Sequence, residues 1–195
     1  MRSVKLVLIV TAALAVASCA TQEMSQPVAK PDVKYGKAIA ESDIAPWNID
    51  VRTPDGAGLP AGRGAVAEGK AVYEAKCTVC HGAEAKGGPV FGAMVGGIGS
   101  FKTNARVLTP GSMYPYAPIL FDYIRRAMPM DKPQSLTVNE VYAVSAYILQ
   151  LNGLIPADAV MDQNSLTRVQ MPNRDGFIID DRPDTQAVRC MINCK

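Results

Sequence analysis

The chain has 195 residues, with one histidine, five cysteines, 20 basic and 18 acidic residues, 48% hydrophobic and 6% aromatic content. That composition is neither disordered nor fibrous, and the length fits one modest globular domain with appended segments. The balanced charge, without a long Lys/Arg run, argues against a nucleic-acid binder held by phosphate contacts, and a single histidine excludes a His-rich metal cage.

Arg2 and Lys5 precede an apolar run over residues 6–17, too short to span a bilayer and suited to the apolar region of an export signal. Residues 1–18 are therefore set apart from the fold. Val16-Ala17-Ser18-Cys19 resembles a bacterial lipobox, in which Cys19 becomes the lipidated first residue of the mature chain; ordinary cleavage after Ala20 is the alternative. The polar, proline-bearing stretch 21–34 reads as a tether, and residues 19–60 as tether plus N-terminal extension. The expected location is the periplasm, with a lipid anchor to the membrane. Removal of Arg2 and Lys5 leaves 18 basic against 18 acidic residues, which gives little non-specific electrostatic adhesion.

A helix is expected over residues 66–76, with Val66, Gly69, Val72 and Tyr73 on one face. It feeds directly into Cys77-Thr78-Val79-Cys80-His81, the CxxCH attachment pattern for a c-type haem. With so few cysteines and one histidine, an accidental match is expected on the order of once in a thousand such chains. The spacing suits the chemistry: two thiols three residues apart reach the two vinyl groups of one porphyrin as thioethers, and His81 is delivered to the iron as proximal ligand. One covalently bound haem c is the expected cofactor. A tight disulfide, half a zinc site or a thioredoxin-like pair are the alternatives for Cys77 and Cys80; zinc would need further ligands nearby, and no βαβ pattern surrounds the motif.

Beside CxxCH, the run Gly69-x3-Tyr73-x3-Cys77 resembles the first helix of class I cytochromes c. The resemblance implies an all-α fold, about four short helices wrapped on one haem, here with extended N- and C-terminal segments. It implies that Gly69 allows close crossing by the last helix. Gly87-Gly88-Pro89 lies where such cytochromes offer a proline carbonyl to the Nδ1–H of the proximal histidine, so Pro89 is the candidate to orient His81. Gly92, Gly96, Gly97 and Gly99 suggest a loop close over the haem edge.

A second helix begins near Tyr116 and ends at Met128-Pro129, where the proline forces the chain out of helical geometry. Class I cytochromes present their thioether sulfur on such a Met-Pro loop, so Met128 is the expected distal iron ligand and Met130 the alternative; Met94, Met113 and Met171 are poorer candidates. A methionine sulfur paired with histidine raises the reduction potential, which suits electron transfer. The last helix is expected over residues 137–152, entered through the capping-box pattern Thr137-Val138-Asn139-Glu140 and stopped at Gly153, with small Ala143 and Ala146 where Gly69 approaches.

These elements place a cytochrome domain at residues 61–154 and a C-terminal wrapping tail at 155–195. The stretch 155–189, with Pro156, Pro172, Pro183 and several aspartates, reads as extended and poor in core of its own. Cys190 and Cys194 are spaced for a short disulfide across one helical turn; a variant haem site using Lys195 is the alternative.

Trp47-Asn48-Ile49-Asp50-Val51, Gly58-Leu59-Pro60, Leu120 through Pro129, Pro133 through Thr137 and Met171-Pro172-Asn173-Arg174-Asp175-Gly176-Phe177 are similar to segments of the cytochrome subunits of periplasmic sulfite dehydrogenases. They are also similar to segments of the related sulfur dehydrogenase of the thiosulfate-oxidising system. The resemblance runs over residues 44–183. It implies a monohaem carrier that accepts electrons from a molybdenum-cofactor oxidoreductase subunit and passes them to the respiratory chain. It implies an electron-transfer subunit more than an enzyme in its own right, with no catalytic residue assigned. A free-standing lipid-anchored shuttle to a terminal oxidase, and a catalytic haem enzyme, are the competing functions.

Overall fold

A computed structural model describes residues 36–182. In chain order the elements are α1 (Glu41–Ile44), β1 (Arg63–Ala65), α2 (Val66–Lys76), α3 (Thr78–His81), α4 (Pro110–Met113), α5 (Pro118–Ala127), α6 (Val138–Leu151), β2 (Val160–Asp162) and α7 (Gln163–Arg168), with single 3-10 turns at Ala83–Ala85 and Ser100–Lys102. The chain divides into two units after Ala40. Of the first, residues 36–40 are described and are exposed without regular structure. The export signal, Cys19, Cys190 and Cys194 lie outside the described residues. All that follows concerns residues 41–182.

Helix α6 is the central post. Its start is closed by the expected capping box: the Thr137 hydroxyl accepts from the Glu140 amide, and the Glu140 carboxylate accepts from the Thr137 amide at 2.8 Å. From Val141 to Leu149 every residue is buried, as suits a helix packed on several sides rather than along one stripe. Helix α2 starts with the Glu68 carboxylate accepting from the Ala65 amide at 2.8 Å. It crosses α6 where both chains are smallest: a Cβ placed on Gly69 would stand 1.8 Å from the Ala143 carbonyl oxygen. No side chain fits there, and the contact is completed by Tyr73 against Tyr147, ring centroids 5.5 Å apart.

Helix α5 begins with Pro118 in its first turn and buries Leu120, Phe121 and Ile124. Phe121 meets Tyr142 of α6 at 4.4 Å between centroids. The helix ends at Ala127, and Met128 leaves in extended geometry, as the following proline requires.

The architecture is helical as expected, with one two-stranded antiparallel ladder that the sequence did not announce. Arg63, Gly64 and Ala65 pair with Asp162, Met161 and Val160. This ladder ties the segment after residue 155, expected to have little core of its own, to the start of the cytochrome domain. Met161, Leu166, Val169 and Met171 are buried members of the same hydrophobic cluster as Tyr73, Phe121 and Tyr142. The Asp162 carboxylate caps α7 by accepting from the amides of Asn164 and Ser165. A three-residue strand has no periodicity to read; pairing defines it. The N-terminal extension is held in the same way: Leu59 is buried, Gln163 donates to its carbonyl at 2.9 Å and the Tyr142 hydroxyl donates to the Pro60 carbonyl at 2.9 Å. Among the described residues no helix is long and apolar enough to cross a membrane.

Candidate functional site

The site grows out of the end of α2. Cys77 closes that helix by donating its amide to the Tyr73 carbonyl at 2.8 Å and is also the residue from which α3 starts. The same carbonyl accepts from the Thr78 hydroxyl at 3.2 Å. Further along, the Tyr73 hydroxyl donates to the carbonyl of Gly82, the residue after His81, at 2.9 Å. Burial pushes the Tyr73 phenol up to about 12, so it stays protonated and able to donate. One tyrosine therefore brackets the whole CxxCH turn.

Within the turn, the amides of Cys80 and His81 both donate to the Cys77 carbonyl, at 3.2 and 3.0 Å, which brings both thiols and the imidazole onto a single loop of chain. Both cysteines are free thiols and half-buried; burial pushes the Cys77 thiol up to about 11. Among the described residues no group of three or more His, Cys, Asp or Glu is arranged to hold a metal ion by itself.

Cys77, Cys80 and His81 open into a cavity of about 650 Å³, within the size range of cofactor sites. Tyr73 of α2, Ile124 of α5, Val144 and Ile148 of α6, Phe91, Met94 and Leu136 supply a largely apolar lining, and Met128, Pro129 and Met130 form another wall. Met128 is half-buried against the core, whereas Met130 is 61% exposed. The two wall methionines thus differ sharply in how firmly they are held. Met94 also reaches the cavity, while Gly92, Gly96, Gly97 and Gly99 do not line it. Met113 lies elsewhere and Met171 is consumed by the core.

The wall carrying Met128 is braced from outside. Arg126, near the end of α5, pairs with Asp122 at 2.8 Å and with Asp50 of the N-terminal extension at 3.1 Å. Arg125 reaches the Ile49 carbonyl at 3.4 Å. Opposed charge and chain anchoring so converge one turn before the methionine.

The donor set fits a c-type haem. The cavity offers two thiols, one imidazole and a thioether on apolar walls. Burial also lowers the His81 pKa below the ordinary histidine value, which keeps the imidazole neutral with a lone pair free for a metal. The buried His81 Nδ1 has no hydrogen-bond partner. Pro89, the candidate to orient His81, is exposed in a turn that closes through Gly88 N–H to the Phe91 carbonyl at 2.9 Å. What the loop delivers to His81 is Phe91, stacked on it with centroids 5.2 Å apart and planes at 23°. Sequence reasoning passed over Phe91; its one signal is that it is an aromatic in the otherwise small-residue run after Gly87-Gly88-Pro89. Asn152 was passed over too: its side chain donates to the Met94 carbonyl at 3.0 Å and accepts from the Gly96 amide at 3.1 Å, clamping the Met94 loop to the end of α6.

Comparison with known proteins agrees with this geometry. The family model for cytochrome c matches residues 66–152. No curated protein matches the chain. Among solved structures, the sulfane dehydrogenase SoxCD from Paracoccus pantotrophus contains a chain 36% identical to this one, with a TM-score of 0.70, over 85% of this chain and 83% of that one.

Proposed function

The chain belongs to the cytochrome c family, whose members bind haem c covalently, and we propose that it serves as the monohaem electron-accepting subunit of a molybdenum-dependent sulfite or sulfur-compound dehydrogenase. The observation that carries the electron-transfer reading is the convergence of Cys77, Cys80, His81 and Met128 on one apolar cavity. In this reading the two thiols anchor the cofactor as thioethers, His81 is the proximal ligand, and half-buried Met128 is the distal one. When bound, haem c supplies a one-electron couple with a potential raised by the methionine sulfur. The chain's own residues hold that site rigid. Tyr73 brackets the attachment turn, Arg126 braces the methionine wall, and Val144 and Ile148 exclude water from the cavity floor.

Likeness to a chain of a sulfane dehydrogenase supports the class of partner. Val79 lies between the two thiols and is 77% exposed; with Met130 it forms an apolar rim where a donor can approach. The chain without its leader is close to neutral, so association rests on contact area rather than long-range steering. Export and lipid attachment at Cys19 place the carrier at the periplasmic membrane face, from which electrons enter the respiratory chain.

The test is co-purification of the full chain with a molybdenum-cofactor subunit from its source cells, followed by haem reduction on addition of sulfite or thiosulfate. Substrate-dependent reduction in the complex is expected. A chain that forms no such complex, and is reduced only by general donors, is instead a free-standing shuttle.

A further inference from the structure

Met128 follows the last turn of a helix that a distant part of the chain reaches from outside. Its amide donates to the Ile124 carbonyl at 3.0 Å, so the place of the methionine follows that of the α5 terminus. Beyond it, residues 131–135 are exposed, and the backbone bonds of this stretch are local: the Lys132 amide donates to the Pro129 carbonyl at 3.0 Å and the Ser135 amide to the Lys132 carbonyl at 3.3 Å. Exposed, locally bonded segments of this kind are the ones that open first in a fold.

The contacts that hold the end of α5 come from residues 49 and 50. The Arg126 guanidinium donates to Asp122, one turn back on the same helix, at 2.8 Å and to Asp50 at 3.1 Å. The Ile49 carbonyl accepts from Arg126 at 3.5 Å and from Arg125 at 3.4 Å. This strap is itself located by the core. The Asp50 carbonyl lies against Gly58, where φ is +91° and a Cβ would stand 2.0 Å from that oxygen. Val51 packs on the core, the turn beyond it closes through the Arg52 amide to the Ala57 carbonyl at 2.8 Å, and Leu59 is buried. Residues 49 and 50 are therefore tied to the core on one side and to the methionine helix on the other, through the planar fork that an arginine supplies and a lysine does not.

We propose that Asp50 and Arg126 are positioning residues that keep the Met128 sulfur at the iron: the N-terminal strap holds the last turn of α5 closed, and breaking the pair lets the methionine wall open more often to outside ligands. The proposal rests on Met128 being the distal ligand. The Asp50 side chain is 82% exposed and that of Arg126 41%, so the pair adds little to global stability. Local opening beside it is a separate equilibrium, and the upper end of what an exposed pair contributes corresponds to about fivefold in that equilibrium. A closed sixth position is what separates an electron carrier from a haem that binds small molecules.

The experiment uses the ferric, haem-loaded full chain and hydrogen cyanide, which is neutral at pH 7. It reads the saturating rate at which cyanide displaces the methionine, together with the near-infrared sulfur-to-iron band and thermal unfolding. Asp50→Asn and Arg126→Gln should each keep the band and raise that rate by about threefold to fivefold. The double variant should be no faster than Arg126→Gln alone, because the two residues act through one contact. Arg126→Lys, which keeps the charge without the fork, should fall between wild type and Arg126→Gln. Lys70→Gln breaks another exposed pair, with Glu74 on α2, and should keep the wild-type rate. Wild-type rates in both Asp50→Asn and Arg126→Gln overturn the proposal, as do fully additive effects in the double variant or an equal rise in Lys70→Gln. A wild type that lacks the band removes the ligand reading, and the proposal falls with it.

Discussion

Replacing Gly69 with alanine tests the crossing on which the cavity depends. The new Cβ would stand 1.8 Å from the Ala143 carbonyl oxygen, 2.4 Å from its carbonyl carbon and 2.9 Å from the Tyr147 Cβ. Carbon–oxygen contacts of this kind settle at about 3.3 Å, so α2 and α6 must part by about 1.5 Å. Overpacking costs about 1–3 kcal/mol, and the upper end applies because the atoms struck belong to the backbone of a buried helix. Alanine in place of glycine in a helix interior returns about 1 kcal/mol. The net loss is about 2 kcal/mol, or about 4–8 °C in Tm for a domain of this size. Thermal unfolding of the haem-loaded protein, followed by circular dichroism and Soret absorbance, measures it. Adding Ala143→Gly should restore little, because the collision is with the carbonyl and not the methyl. An unchanged or raised Tm, or full rescue by that second change, would refute the reasoning.

Three further outcomes are expected. In Met128→Ala the near-infrared sulfur-to-iron band should disappear, while Met130→Ala keeps it; the reverse pattern transfers the ligand role to Met130. Lys76 and Glu140 pair at 2.6 Å between α2 and α6, and the hydrogen bond from Lys76, followed by those from Thr137, depresses the Glu140 pKa. A depressed carboxylate stabilises above its unfolded value and loses that contribution as pH falls through its folded value. Because both side chains are partly exposed, Glu140→Gln should cost about 0.5–1 kcal/mol at pH 7 in denaturant titration. The difference should close once pH drops well below about 4.3, and a gap that persists at pH 3 would take charge out of the explanation. A Cys19→Ser form should be released from membranes as soluble protein, whereas a native chain beginning at Thr21 would show that no lipid is attached.

Much of the site was legible because its chemistry is local in sequence. Cys77, Cys80 and His81 occupy one turn, so their spacing alone brings them together. The helix before them and the capping box at Thr137 are written in contiguous residues, and both appear with the expected limits to within a residue or so. Gly69 and Ala143 could be matched as small residues because helix crossings leave that trace on both partners. Met128 was preferred to Met130 for the proline that follows it; in the structure both line the cavity, Met128 packed against the core and Met130 largely exposed.

Pairings between distant segments left no such trace. The ladder of β1 with β2 joins residues almost a hundred positions apart through three residues on each side, too few for an alternating pattern, so residues 160–171 looked like tail until their burial was seen. The partner of His81 had the same character. Sequence determined that an imidazole would stand beside two thiols, because adjacency is covalent; which ring or carbonyl would face its free side depended on how the loop from Gly82 to Met94 folds back. That path is chosen by backbone hydrogen bonds to the attachment turn and by the absence of a side chain at Gly88. Only the tertiary structure could decide it, since only that fold-back brings the Phe91 ring onto the imidazole.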